Sequence, residues 1–424
     1  NYDAYPILAG AYIQDKIEFE GMFANIGIRF DYADPRTEWP RRETKEDLYS
    51  LFYSSFLKDS LFTLGPVEEV AADFQISPRL GISFPVLEKS KLFFNYGHFY
   101  SLPTNEDRYK IDWGANAEGI HILGNPRLEM ERTVSYEVGL ESSIASTYMA
   151  RISGYYKDIK NEIGEVGYEN MDGYVNYTTL ENSGYGDTRG FEFEFRKDHG
   201  RFFTGWVIYD YMVETSGTVG VTQHYEDPFR ESVETEADTE GDSPLPRPVF
   251  RALFTLKAPL DWGVFLGGYN LSFLYSWRAG YYDTFNPFGE QWDDILENNI
   301  QFPSESYVDV SISKNISVGG IEANLFMEVH NVFDWGTLSS QGFDPSVPNN
   351  GDRNAYLQSL HLDIYDETPF VTYDKVSGPG ELGVEPDHIG DLQSADKPYI
   401  NNPNREFLYY LDPRYVQFGI RFSF

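Results

Sequence analysis

Ile321-Glu322-Ala323-Asn324-Leu325-Phe326-Met327-Glu328-Val329-His330, running on to Phe333, is the stretch that decides the fold. In an extended chain Ile321, Ala323, Leu325, Met327 and Val329 fall on one side, and Glu322, Asn324, Phe326, Glu328 and His330 on the other. A repeat of two is the period of a half-buried strand, whereas an amphipathic helix would repeat at about 3.6 residues. The same alternation recurs along the chain. Val134, Tyr136, Val138 and Leu140 oppose Thr133, Ser135, Glu137, Gly139 and Glu141, and Phe191, Phe193 and Phe195 oppose Glu192, Glu194 and Arg196. Near the end, Val416, Phe418, Ile420, Phe422 and Phe424 oppose Tyr415, Gln417, Gly419, Arg421 and Ser423.

Extended over the whole chain, the pattern predicts about thirteen strands. They cover 7–19, 22–32, 77–86, 91–101, 131–143, 147–160, 177–197, 202–214, 247–258, 264–278, 305–315, 320–334 and 412–424. Their connections alternate in length. Glu20–Gly21, Leu87–Ser90, Ile144–Ser146, Asp198–Arg201, Pro259–Gly263 and Ile316–Gly319 are short. Ala33–Gln75, the stretch up to Met130, Asn161–Asn176, the acidic loop after 214, Tyr281–Pro303 and Trp335–Leu411 are longer. One end of the sheet is therefore trimmed and the other carries the loops, as in outer-membrane barrels with short periplasmic turns. A soluble sandwich or propeller has no reason to sort loops this way. With the short turns periplasmic, the last strand runs inward and Phe424 lies at the periplasmic edge.

Composition agrees with a membrane barrel. Of 424 residues 17 % are aromatic, with Tyr 32 and Phe 32, although the mean hydropathy is −0.44. Tyr and Trp suit a boundary that is apolar on one side and wet on the other. No run approaches the roughly 20 apolar residues of a membrane helix, and no signal-peptide pattern opens the chain. Tyr5 to Phe19 already reads as a strand, so upstream sequence is expected. There is no cysteine, which excludes disulfides and thiolate metal sites. A net charge of −34 argues against nucleic acid.

Several segments together resemble TonB-dependent outer-membrane receptors of the carboxypeptidase-regulatory-like type. Gly10-Ala11-Tyr12-Ile13-Gln14-Asp15 is similar to that family's AxYxQDxxxF strand, and Asn25-Ile26-Gly27-Ile28-Arg29-Phe30-Asp31-Tyr32 to its NxGxRxDY strand. Gly124-Asn125-Pro126-Arg127-Leu128, Glu131 and Ser135-Tyr136-Glu137-Val138-Gly139-Leu140-Glu141 resemble GNPxLxxExxxxYExGLE. Tyr155-Tyr156-Lys157-Asp158-Ile159-Lys160-Asn161, Thr188-Arg189-Gly190-Phe191-Glu192-Phe193-Glu194 and Asn331-Val332-Phe333-Asp334 follow in the family's order. The resemblance implies an all-β transmembrane antiparallel barrel. Residues 1–424 would be its C-terminal strands, ten to twenty-two of twenty-two, with the plug not present in this chain. It also implies energised uptake of a nutrient, with partners in the TonB complex (through the missing plug region), outer-membrane lipid and the barrel assembly machinery. The assembly machinery would read the terminal aromatics Phe418, Phe422 and Phe424. The alternative is a non-transporting barrel that holds surface proteins, such as a lipoprotein, on its loops.

No enzyme is expected: phosphate loops, GxSxG and HExxH are lacking, and Gly184–Gly190 has neither the spacing nor the helix of a dinucleotide site. The seven histidines lack ligand spacing, so no metal or cofactor is expected. The acidic stretch from Val221 to Ser243 suits solvent better than a structural calcium, because it lacks the EF-hand order. Arg29, Glu137, Arg196, Arg251, Asp309, Glu322, Glu328 and Arg421 fall on the polar faces and are assigned to the lumen or plug. Trp113, Tyr281, Tyr282, Trp292 and Trp335 fall in outer connections and are the candidate ligand-binding aromatics, since rings stack on sugars, siderophores and peptides.

Overall fold

The computed structural model describes residues 4–50, 67–113, 120–173, 175–234, 245–283, 300–302, 304–318, 321–338, 410–411 and 413–423. Its long strands are Ile7–Phe19, Met22–Asp34, Asp73–Leu87, Ser90–Ser101, Glu131–Ile144, Tyr148–Glu169 and Asn176–Lys197. They continue with Phe203–Thr218, Val249–Lys257, Tyr269–Arg278, Glu305–Val318, Ile321–His330 and Tyr415–Ser423. Each corresponds to one strand predicted from the alternation, and all belong to one sheet of seventeen strands. The fold is that of a transmembrane antiparallel β-barrel.

Local chemistry explains the tight hairpins. At Glu20 and Gly21 φ is 46° and 83°, the doubly left-handed turn whose twist matches the strands it joins. It sets Phe19 opposite Met22 and carries the register through to Ile7 opposite Asp34. Ala145 and Ser146, with φ of 48° and 60°, make a turn of the same sense. Pairing then settles which connections share an end. Phe23 lies opposite Ser83 and Ala33 opposite Asp73, so the connection after Asp34 leaves from the end away from Gly21. Leu87 pairs with Ser90, which returns the next turn to the Gly21 end.

Two compact units divide the chain: Asn1–Glu141 with Ser153–Gly190 and Glu214–Asp242, and Ser142–Ile152 with Phe191–Val213 and Ser243–Phe424. In each, the strands carry an exposed apolar face. In the first unit Ile26, Ile28 and Phe30 project from one strand and Ile76 and Phe84 from its partner. In the second, Leu325 faces Ile420 and Met327 faces Phe418, which is 85 % exposed. So wide an apolar surface suits lipid and not water. Among the described residues, Glu322, Glu328 and Arg421 alternate with these and take the opposite face.

The structure corrects three of the sequence expectations. Val264, Phe265 and Leu266 open no strand; Gly263–Leu266 is one helical turn and the strand starts at Tyr269, because Gly263 and Gly268 adopt φ of 86° and 79°. The acidic stretch is not all loop: Gln223–Tyr225 is a strand and Pro228–Glu234 a helix. Strand pairing also runs beyond the predicted limit at 160, to Glu169. A membrane crossing needs only about 9–11 residues, and Tyr148–Glu169 and Asn176–Lys197 have 22 each. Their far ends therefore stand clear of the membrane.

Candidate functional site

The polar face of the first unit is built by register. Tyr12 lies opposite Arg29, and Gln14 opposite Gly27. Gly27 pairs in turn with Arg79 and Asn25 with Gly81, and the next strand brings Gly97 to Arg79 and Asn95 to Gly81. Alternation puts all of these on one face. With Phe99, Ser135 and Glu137 they line a concavity of about 730 Å³. Beside it, a Cβ on Gly10 would come within 2.9 Å of Arg29 Nη2, which lies across that position.

Charge in this concavity is arranged in fixed pairs. Arg29 donates to Asp31 through both Nε (2.9 Å) and Nη2 (2.7 Å). Asn95 Nδ2 donates to Glu137 Oε2 at 3.0 Å, and the Arg79 guanidinium stands 4.8 Å from the Phe99 ring centroid. Such a surface offers donors, acceptors and a ring to a polar body packed against it.

In the second unit, Arg251 lies opposite Ser276, and Ser276 opposite Tyr307. With Arg278 and Glu305 they line a smaller hollow of about 170 Å³. Asp309 accepts from the Asn331 backbone at 2.9 Å and lies 3.5 Å from His330 Nδ1. Glu322 and Glu328 share a face with Asp309 through Ser317 and Ser311. Arg421 stacks on Phe326 at 5.9 Å, and Arg196 pairs with Glu194 and Asp198 at 3.4 and 3.1 Å. Arg29 and Glu137 are thus brought into one concavity, while the remaining six are spread along the polar face of the second unit.

The long-connection ends of the first unit's strands carry a structure that the sequence reading missed. Trp39, Tyr49, Val70, Ile120, Leu123, Val166, Tyr168, Val175 and Tyr177 form one buried cluster. Three separate connections meet there. Trp39 Nε1 donates to the Gly124 carbonyl at 2.9 Å, and Asn125 Nδ2 to Leu180 O at 2.8 Å. Asn125 Oδ1 also accepts from Arg127 N, so the Gly-Asn-Pro motif is a bracket between the 102–130 connection and the strand Asn176–Lys197. Glu38–Pro40 pairs with Val67–Glu69, and Arg127 bonds Glu68 at 2.6 Å.

Arg42 sits at the centre of this cap. It donates to Glu181 Oε1 at 2.6 Å and to Tyr168 OH at 3.0 Å. Tyr168 stacks on Tyr177 and His224 at 5.4 and 5.0 Å, and Tyr177 OH donates to Leu48 O. Burial alone would lower the Arg42 pKa, but Tyr168, Glu181 and Tyr177 outweigh it and hold it above its ordinary value. Burial pushes the Tyr49 and Tyr168 phenols up to about 12. Tyr177 is raised further for the same reason. Hydrogen bonds from Arg41 and Thr44 keep Asp47 below the usual carboxylate range.

The candidate ligand aromatics fall in separate frames. Tyr281 stacks on Phe302 with centroids 4.2 Å apart, and Tyr282 OH donates to Pro246 O at 3.1 Å, next to the Tyr282–Asp283 and Ile300–Gln301 pairing. Trp335 stacks on Phe333 at 5.1 Å and its backbone is held by Asn331 Oδ1 at 3.0 Å. The side chain of Trp113, all of Trp292 and Phe424 lie outside the described residues. Among the described residues no group of three or more His, Asp or Glu is placed to hold a metal ion.

Comparison with known proteins matches residues 2–332 to the family described as TonB dependent receptor-like, beta-barrel. No curated protein matches the sequence. The Serratia marcescens hemophore receptor HasR, solved with its hemophore and heme, is similar with a TM-score of 0.53 at 13 % identity, over 79 % of this chain and 49 % of that one. A Pseudomonas aeruginosa ferric enterobactin receptor mutant is similar at 0.50 and 15 %, over 79 % and 40 %. The Neisseria meningitidis FrpB iron transporter gives 0.49 and 13 %, over 79 % and 42 %. The chain spans less than half the length of these structures, and at such identity the likeness is one of fold.

Proposed function

The chain belongs to the TonB-dependent receptor-like β-barrel family, and on that footing we propose that it is part of an outer-membrane receptor for energised nutrient uptake. The observation that carries this is the concavity on the polar face of the first unit. Its lining sets hydrogen-bonded polar groups, Arg29 with Asp31 and Asn95 with Glu137, beside the rings of Tyr12 and Phe99, a mixed surface suited to receive a plug or a solute. The apolar face behind it suits the outer membrane, and the folded cap at the long-connection end suits the cell exterior.

Ligand contact is assigned to Tyr281, Tyr282 and Trp335, together with Trp113 and Trp292. Arg29, Glu137, Arg196, Arg251, Asp309, Glu322, Glu328 and Arg421 are assigned to the plug or solute path, and Phe418, Phe422 and Phe424 to recognition by the assembly machinery. TonB would act through the plug region. The long connection from Trp335 to Leu411 carries twelve Asp and Glu against four Lys and Arg, a charge that would repel anions and favours a neutral or cationic cargo such as an oligosaccharide or peptide over an anionic ferric siderophore.

The test is uptake by cells producing the full-length receptor. Labelled oligosaccharide or cationic peptide should accumulate only with a functional TonB and an energised inner membrane. Uptake that persists without TonB would make the protein a passive pore, and preferential uptake of an anionic siderophore would overturn the cargo argument.

A further inference from the structure

The connection between Val249–Lys257 and Tyr269–Arg278, read in the sequence as a short turn and the start of a strand, folds into a knob. Leu260–Trp262 is a turn of 3-10 helix and Gly263–Leu266 a turn of α-helix. Leu260, Trp262, Val264, Phe265 and Leu266 are all exposed, Phe265 by 87 %. Five large apolar side chains held out by so short a segment call for a partner.

The conformation is imposed, not loose. Gly263 and Gly268 have positive φ, and a Cβ on Gly267 would lie 2.7 Å from Pro259 O. Gly268 N donates to Ala258 O, and Asn315 N to Gly268 O, so the knob is tied to the next hairpin. Arg201 pairs with Asp261, and Phe202 meets Trp262 at 6.2 Å, which ties it to the preceding one.

Its side of the sheet is also fixed. Lys314 Nζ donates to Phe265 O at 3.1 Å and stands 4.1 Å from the Tyr269 ring centroid. Lys314 lies opposite Tyr269 and Leu325, and Leu325 lies opposite Ile420 in the apolar row. The knob therefore continues the apolar face at the short-turn end. Near this end Lys197 stands over Phe203 and Tyr148, 3.8 and 4.9 Å from their centroids. Apolar and aromatic residues with long cations among them match a phospholipid interface, where rings sit at headgroup level and lysines reach the phosphates.

We infer that the 258–268 knob is a membrane-interface anchor, its apolar residues seated in the phospholipid leaflet on the short-turn side and Lys314 and Lys197 facing lipid phosphate. A lipid leaflet is the occupant because the knob is continuous with the lipid-facing row, its one charge, Asp261, is paired with Arg201, and the adjacent Lys314 and Lys197 complement anionic headgroups.

The sequence contains no cysteine, so Phe265→Cys introduces a single thiol for a polarity-sensitive fluorophore. The full-length protein would be reconstituted in vesicles of phosphatidylethanolamine and phosphatidylglycerol, with brominated lipids as quenchers. Leu325→Cys serves as the lipid-face reference and Asp198→Cys as the water-facing turn. Lipid brominated near the headgroup should quench the Phe265 label several-fold more than the Asp198 label. Quenching at Leu325 with none at Phe265 would overturn the anchor alone, leaving a periplasmic protein as the occupant. Quenching at neither position would overturn the membrane reading as well. Should Phe265→Cys assemble poorly, Val264→Cys gives the same readout.

Discussion

Replacing Arg42 by methionine should open the cap without disturbing the strands in the membrane. Methionine keeps much of the length and apolar stem but cannot donate, so Glu181 and the Tyr168 hydroxyl lose their bonds of 2.6 and 3.0 Å. A hydrogen bond to a charged group is worth about 1.5–3 kcal/mol, and breaking a fully buried pair costs about 3–5 kcal/mol. Glu181 is 37 % exposed while Arg42 is 13 % exposed, so water can rescue the carboxylate in part and the larger figure does not apply. We expect a loss of about 2 kcal/mol in cap stability, a roughly 30-fold rise in local opening. Hydrogen exchange on the full-length protein in lipid nanodiscs would read it in peptides covering 164–182, with 321–330 as the internal reference. Glu181→Gln, which keeps an acceptor, should accelerate exchange less. Unchanged exchange at 164–182, or equal acceleration in the reference, would refute the role given to Arg42.

Met327→Arg places a cation in the apolar row beside Phe418, further from the short turn than Leu325, and should cost about 2–4 kcal/mol near the bilayer mid-plane; loss of the heat-resistant folded band on electrophoresis would show it, and a normal band would count against a lipid-facing Met327. The cap should also loosen in alkali. Burial raises the Tyr49 and Tyr168 phenols to about 12 from an unfolded value of about 10, so the fold prefers the neutral ring. That contribution is complete below pH ~10 and is lost as pH climbs toward ~12. Ultraviolet titration of tyrosinate with exchange at 164–182 would follow it, and full ionisation near pH 10 with the cap intact would contradict it. Gly21→Val forces a β-branched residue to φ of 83° and should destabilise the first hairpin by about 1–2 kcal/mol, read as lower yield of assembled protein, whereas Gly21→Asn should be milder.

All thirteen long strands were legible because a membrane strand repeats its two-residue pattern over its full crossing, with lipid enforcing one face. Beyond the membrane that enforcement stops. Val166, Tyr168, Val175 and Tyr177 are buried by a cap and not by the sheet's apolar face, so alternation no longer marks the strand ends. The cap itself was not legible: it joins Trp39 to Gly124 and Arg42 to Glu181 across 85 and 139 residues, and no local periodicity records such contacts. The Gly-Asn-Pro motif was visible as a resemblance, yet its bracing role needed the bonds of Asn125. Val264-Phe265-Leu266 misled because an apolar triplet resembles a strand, and only the neighbouring glycines signal a helical turn. For the candidate ligand aromatics, the sequence could name positions in the long connections but not their frames, which depend on Phe302, Pro246 and Asn331.

The receptor account depends on which end of the strands lies outside the cell, and thiol labelling measures that directly. Glu226→Cys, at a residue whose backbone N donates to Glu169 O beside the cap, and Asp198→Cys, at a short turn, would be produced separately in the full-length protein and exposed to a membrane-impermeant maleimide on intact cells. The account predicts labelling of Glu226→Cys in intact cells and of Asp198→Cys only after the outer membrane is permeabilised. Labelling of Asp198→Cys in intact cells, with Glu226→Cys protected, would contradict it.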